Sequence, residues 1–416
     1  MLALRLARGA HPLVQFRRLL VAAASAGTGF LLLCTLGYAL AHPEASAGSV
    51  LRLAWCAVPT AATVYLAITV ARADPGTRPR SGLATIGLGP ARLMALSAVT
   101  TALSTVLGSL LALLAFLHLR GDLPVLRSDR TAAGFLAADQ SLPLPAVLTL
   151  LVLVPLAASL GSALALRPKD GRARRPGRTD TGAQTAAESG DVPDDRAPDS
   201  PDEMSVPDLP LAPRPAPGGL PWGVATLAAG LAVETHASGG GQQQGLHLPG
   251  GLAGGPAGVL AGWALTALGL ALAGPALAYL CGSLLQSMSP GAVRLLAGRG
   301  LQEEARRIGR PLGVVCAVAS AAYATAALYG RAGPSLGPLT VLGAVLVAGC
   351  TLATLATAAV EARQDRADTI AALVRLGAPA TVLRTAALLR AGALVVVFVP
   401  VTWVVAELAA MPLTRG

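Results

Sequence analysis

Nucleophiles, metal ligands and phosphate cradles each need particular side chains at particular spacings, and this chain holds few of them. His11, His42, His118, His236 and His247 are scattered and lack the spacing of a zinc site. No Ser-His-Asp or paired-carboxylate arrangement appears. Cys34, Cys56, Cys281, Cys316 and Cys350 lie within or beside apolar runs, an odd number without ligand spacing, and read as small core or lipid-side residues. A Walker-type loop ends in Gly-Lys-Ser/Thr, so that backbone amides and the lysine hold phosphates. The single lysine, Lys169, is flanked by Pro168 and Asp170, so the chain is not expected to be an enzyme or to hydrolyse ATP itself. No cofactor or metal is expected on it.

What remains is binding chemistry, concentrated between Arg363 and Arg384. Ile370, Leu373 and Leu376 recur at three-residue spacing and share one helical face, while Arg366, Asp368 and Arg375 fall on others. Gly377, Ala378 and Pro379 end that helix, since Gly suits a left-handed cap and Pro cannot continue the hydrogen-bond ladder. The pattern predicts a short amphipathic helix at the cytoplasmic surface, either docking into a groove on a soluble partner or serving as an ordinary interfacial loop anchored by arginines. A second constellation, Gly250, Gly254, Gly258 and Gly262, repeats every four residues and lets backbones approach closely. Internal helix packing is its simpler reading, and a dimer interface the alternative.

The elements that must position these residues are apolar helices. The chain has 416 residues, is 53% hydrophobic and 13% charged, and has a mean hydropathy of +0.61, too apolar for an ordinary water-soluble domain. Runs such as Val99 to Leu117 are apolar or small on every face, which excludes a β-barrel and predicts an all-α polytopic membrane protein. Spans are expected near Leu19 to Leu40, Val50 to Ala71, Leu93 to Leu117, Leu144 to Leu166, Leu220 to Val233, Gly254 to Leu284, Pro311 to Tyr329, Gly337 to Val360 and Thr385 to Leu408. That makes about nine transmembrane helices, the fifth of them short. The first is expected to be retained, since it exceeds a typical signal-peptide core of ~7–15 residues. The spans carry no ionisable residue at mid-depth, because Arg52, Glu234, Glu361 and Glu407 lie toward their ends, which weakens the case for a proton-coupled transporter.

Charge sets the orientation. With the N-terminus cytoplasmic, Arg52, Arg120, Arg127, Arg130, Arg331 and Arg415 fall on or beside outer segments and Arg390 lies in the last span. The rest of the 32 basic residues fall inside, as the positive-inside rule requires. The net charge of +10 therefore reflects membrane orientation, and no nucleic-acid partner is expected. Residues 167–219 are basic at first and then rich in Asp, Pro, Ser and Gly, which predicts a disordered cytoplasmic linker. The Gly- and Gln-rich stretch from Ser238 to Gly245 reads as a slack outer loop.

The chain also repeats itself. Arg5-Leu6 and Arg17-Arg18 precede the first span, and Arg294-Leu295 and Arg306-Arg307 precede the seventh, all at an offset of 289 residues. After the second span of each half comes a basic segment. Arg78 to Arg92 contains Leu83, Ile86, Leu88 and Gly89, while Arg366 to Arg384 contains Ile370, Leu373, Leu376 and Gly377. These features predict two modules with the same orientation. They occupy residues 1–166 and 291–416, with a two-helix connecting segment at 220–290, and the second module lacks a counterpart of the fourth span.

A basic residue, an apolar face, Leu-Gly-Ala and a further basic residue leading into a long span together resemble the cytoplasmic loop of FtsX-like (MacB-type) ABC transporter permeases. The likeness is closest at Arg366, Ile370, Leu373, Arg375, Leu376, Gly377, Ala378 and Arg384. It is weaker at Arg78, Leu83, Leu88 and Gly89, where Pro90 replaces the Ala. The resemblance implies a permease subunit in a bacterial plasma (inner, cytoplasmic) membrane. It also implies a separate ABC ATPase, carrying ATP and Mg, docked on both loops, and a permease homo- or heterodimer. Two departures stand out. The outer loops Ala41 to Ser49 and Gly330 to Leu336 leave no room for the large extracellular domain many members carry, and the usual ten-helix form needs one more span. A mechanotransmitting sensor with the same architecture and an ATP-independent transporter are the alternatives, and no feature names a substrate.

Overall fold

The computed structural model describes residues 12–44, 46–74, 90–121, 141–167, 218–239, 257–287, 291–332, 337–377 and 379–414. Among them there are helices and short flanking segments and no strand. In chain order the helices are α1 (Pro12–Ala41), α2 (Ser46–Ala73), α3 (Pro90–Arg120), α4 (Leu144–Ala165), α5 (Leu220–Gly239), α6 (Ala257–Ser287), α7 (Ala292–Ala332), α8 (Pro338–Arg375) and α9 (Ala380–Thr414). All belong to one compact unit, formed by residues 1–167 and 216–416.

Every helix except α5 is long and apolar enough to cross a membrane, so the chain is a multi-pass helical membrane protein. The expected fifth crossing does form a helix. Its last two turns hold Glu234, Thr235, His236 and Ser238, which shorten its apolar run below that of the other eight.

Small residues set the packing, as the scarcity of aromatic rings predicts. The Ser25 hydroxyl of α1 donates to the Thr105 carbonyl of α3 at 2.8 Å, and Ser109 of α3 donates to the Leu151 carbonyl of α4 at 3.1 Å. Thr28 and Thr63 join α1 to α2 through their hydroxyls, 2.8 Å apart. Thr63 in turn lies 3.9 Å from the Cys350 sulfur of α8, in a cluster completed by Leu66, Ala67, Leu346 and Ala353. All five cysteines are buried and free. The connectivity of contacts recurs along the chain: α1 is the shared partner of α2 and α3, which scarcely meet, and α7 is the shared partner of α8 and α9.

The structure corrects two expectations about boundaries. The segment after Val360 is not a separate short helix lying at the surface. It is the end of α8, because Glu361 to Arg375 contains neither Gly nor Pro and nothing interrupts the hydrogen-bond ladder. Likewise the arginine-rich lead-in to the seventh span is continuous with it through Pro311, giving a 41-residue α7. At ~1.5 Å per residue both helices far exceed a ~30 Å hydrocarbon core, so each projects well out of the membrane.

Candidate docking surface

The projecting ends of α7 and α8 are held side by side. Along α7, Ala297, Leu301 and Ala305 recur every four residues and are buried, which gives the lead-in an apolar stripe. Its other face carries acids and arginines. The Glu304 carboxylate accepts from the Arg366 guanidinium of α8, with Nη2 to Oε2 at 2.6 Å, and Arg307 pairs with Asp365. Arg366 also donates through Nε to the Ala362 carbonyl at 3.0 Å, which fixes its rotamer. A third arginine ties in α9: Arg390 Nη2 donates to the Leu296 carbonyl at 3.0 Å.

Beyond this brace α8 presents apolar side chains to open space. Ile370 and Val374 are exposed, Leu373 is half-buried, and Leu376 is 85% exposed, more than any other large apolar side chain among the described residues. Much of the exposed apolar surface elsewhere lies on helices long and apolar enough to cross a membrane. Leu376 is different, because it sits between the exposed Arg375 and Arg384 at the tip of the projection. The helix ends there as the sequence predicts. Gly377 adopts φ +88°, the left-handed region that favours glycine, and its N–H donates to the Val374 carbonyl at 3.0 Å. The next helix, α9, begins at Ala380.

The site residues expected from sequence therefore fall into three groups. Ile370, Leu373, Arg375, Leu376, Gly377 and Arg384 come together at one tip. Arg366 is turned back on α7 and holds the tip in place. Arg78, Leu83, Ile86, Leu88 and Gly89 lie outside the described residues, as do Gly250 and Gly254. Gly258 and Gly262 sit in the first turns of α6 and face α5, where a Cβ on Gly262 would come 2.8 Å from the Gly230 carbonyl oxygen.

Sequence reasoning missed the carboxylates. Asp365 and Glu304 are the acceptors that fix the tip, and Asp74 plays the same part in the first half. The Arg18 Nη2 lies 2.9 Å from the Asp74 Oδ2, and Arg17 Nη1 donates to the Ala73 carbonyl at 3.4 Å. The usable signal was an aspartate within five residues after the apolar run of each second span, at Asp74 and Asp365, paired with an arginine before each first span.

No protein-family model, curated protein or solved structure matches the chain.

Proposed function

We propose that the chain is the membrane-spanning permease subunit of an ABC-type transport system, driven by a separate ATPase that docks on the tip formed by Ile370 to Arg384. The observation that carries this reading is Leu376, an almost fully exposed leucine among arginines on a helix end braced by two ion pairs. Burying such a side chain on a partner stabilises the complex by ~1.5–3 kcal/mol. The bracing lets movement of the tip pass into α7 and α8. In the proposal residues 1–166 and 291–416 are two FtsX-like modules of one orientation. Support comes from the recurrence of the arginine–aspartate pair at the same place in each half and from the matching helix contacts. The first basic loop, beginning after Asp74, then provides the second docking point, and both lie in the cytoplasm.

The same bracing favours a second reading, a mechanotransmitting sensor, because a stiff lever passes force without any path for cargo. The two are separated by measuring ATP-driven transport in reconstituted vesicles. Docking itself is tested by replacing Leu376 with Asp and Gly377 with Val. Loss of the co-purifying ATPase, with membrane insertion intact, supports the reading, whereas unchanged co-purification refutes it.

A further inference from the structure

The α5–α6 pair, outside both proposed modules, contains a buried carboxyl group that the docking account does not use. Glu234 of α5 is fully buried. Its Oε1 accepts a hydrogen bond from the Trp263 indole N–H of α6 at 2.7 Å, and its Oε2 has no hydrogen-bond partner. One seam further along, the Thr266 hydroxyl is also buried without a partner. These two groups occupy consecutive turns of a stretch where glycines bring the two helices close. A Cβ on Gly230 would stand 2.5 Å from the Thr266 hydroxyl oxygen, and one on Gly262 would stand 2.9 Å from the Glu234 Cβ. The glycines thus bring the backbones together around the carboxyl, whose Oε2 is buried from the surface.

Among the described residues, no opposite charge is paired with it. The described part of α6 contains no Asp, Glu, Lys, Arg or His, and its remaining titratable groups, Tyr279 and Cys281, lie toward its far end. From α9, the other helix packed on α5, the charged residues are Arg384, Arg390 and Glu407. Arg384 is exposed, Arg390 donates to the Leu296 carbonyl, and Glu407 accepts from the Tyr323 hydroxyl at 2.7 Å. His236 is exposed two residues beyond Glu234 on its own helix. Burial raises the pKa of Glu234 above the ordinary carboxyl range, and the Trp263 hydrogen bond opposes that rise. An ionised carboxylate is acceptor-only and very costly to bury against a single neutral donor, whereas a protonated one carries no charge and keeps an O–H to donate.

We propose that Glu234 is a proton-binding site, holding a proton while α5 and α6 are closed on each other and releasing it when they part.

Infrared difference spectroscopy of the full-length protein in lipid tests this, because a protonated carboxyl and a carboxylate absorb at separate C=O stretching frequencies. The wild-type minus Glu234→Gln spectrum at about pH 6 is expected to contain the protonated band, which fades as the pH is raised. Carboxylate bands in that difference spectrum at the same pH would overturn the proposal. Should Glu234→Gln fail to accumulate, Trp263→Phe gives an independent reading. The indole N–H stabilises the charged form, so its removal must shift the carboxyl band and move its fading to higher pH. A carboxyl region unchanged in Trp263→Phe would overturn the proposal equally.

Discussion

Arg307 stands 289 residues after Arg18, and each guanidinium pairs with an aspartate just past the apolar run of the next helix, Asp365 for Arg307 and Asp74 for Arg18. Two short basic motifs at one offset are a weak sign of duplication. The same motifs making the same ion pair at the same end of the same helix pair are a stronger one. Thr63 and Cys350, which meet where α2 packs on α8, are themselves 287 residues apart, so near-equivalent positions of the two halves face each other. In the proposed two-module arrangement, a two-fold relation between the halves would produce that kind of contact.

The two braces of the tip should differ in strength. Arg307 and Asp365 are partly solvent-exposed, so a double-mutant cycle on them is expected to give a coupling of ~0.2–1 kcal/mol. Glu304 and Arg366 are more enclosed, and Glu304→Ala removes the carboxylate acceptor and leaves only the Ala362 carbonyl, at a cost of roughly 1.5–3 kcal/mol. Thermal unfolding in detergent checks the order: Glu304→Ala should lower the midpoint more than Asp365→Ala.

Gly377 separates backbone strain from crowding. Nothing lies within 4 Å of a Cβ built there, so Gly377→Ala is penalised only for its left-handed φ, by ~1–2 kcal/mol. Gly377→Asn should cost less, since Asn tolerates that region. Hydrogen exchange of the Ala372 to Gly377 amides is expected to quicken in the alanine variant and to stay near wild type in the asparagine variant.

Much of the fold was legible in the sequence because lipid imposes a strong pattern: twenty apolar residues read as a span whatever they pack against. The Gly377 stop was legible too, since it depends only on local backbone chemistry. Helix ends were harder. Val360 marks where α8 leaves the apolar run, but the ladder continues to Arg375 because nothing breaks it. The role of Arg366 was beyond sequence reasoning, because whether an arginine on a helix faces a partner or a neighbouring helix depends on where Glu304 lies, 62 residues earlier. Burial of Glu234 was hidden for a similar reason. It sits at the polar end of a helix with a short apolar run, and Gly230 and Gly262 bring α6 close around it.

That close approach is itself testable. Gly262→Val would drive a side chain into the Gly230 carbonyl and should open the α5–α6 pair, lowering the unfolding midpoint. Gly349→Ala in α8 is the control, because a Cβ there meets nothing within 4 Å, and helix propensity predicts a gain of up to ~1 kcal/mol. Similar losses in both variants would contradict the packing described.

The five cysteines give a simple probe of the whole bundle. All are buried, so a water-soluble maleimide should leave the folded protein unlabelled and modify all five after denaturation. Intact-mass spectrometry counts the adducts directly.

The docking claim is tested most directly by a photo-crosslinking amino acid placed at Leu376 in cells, with Val396, an exposed position in the apolar run of α9, as control. The account predicts a crosslinked polypeptide at Leu376 that carries a phosphate-binding Gly-Lys-Ser/Thr loop, and only lipid adducts at Val396. Lipid adducts alone at both positions would contradict it.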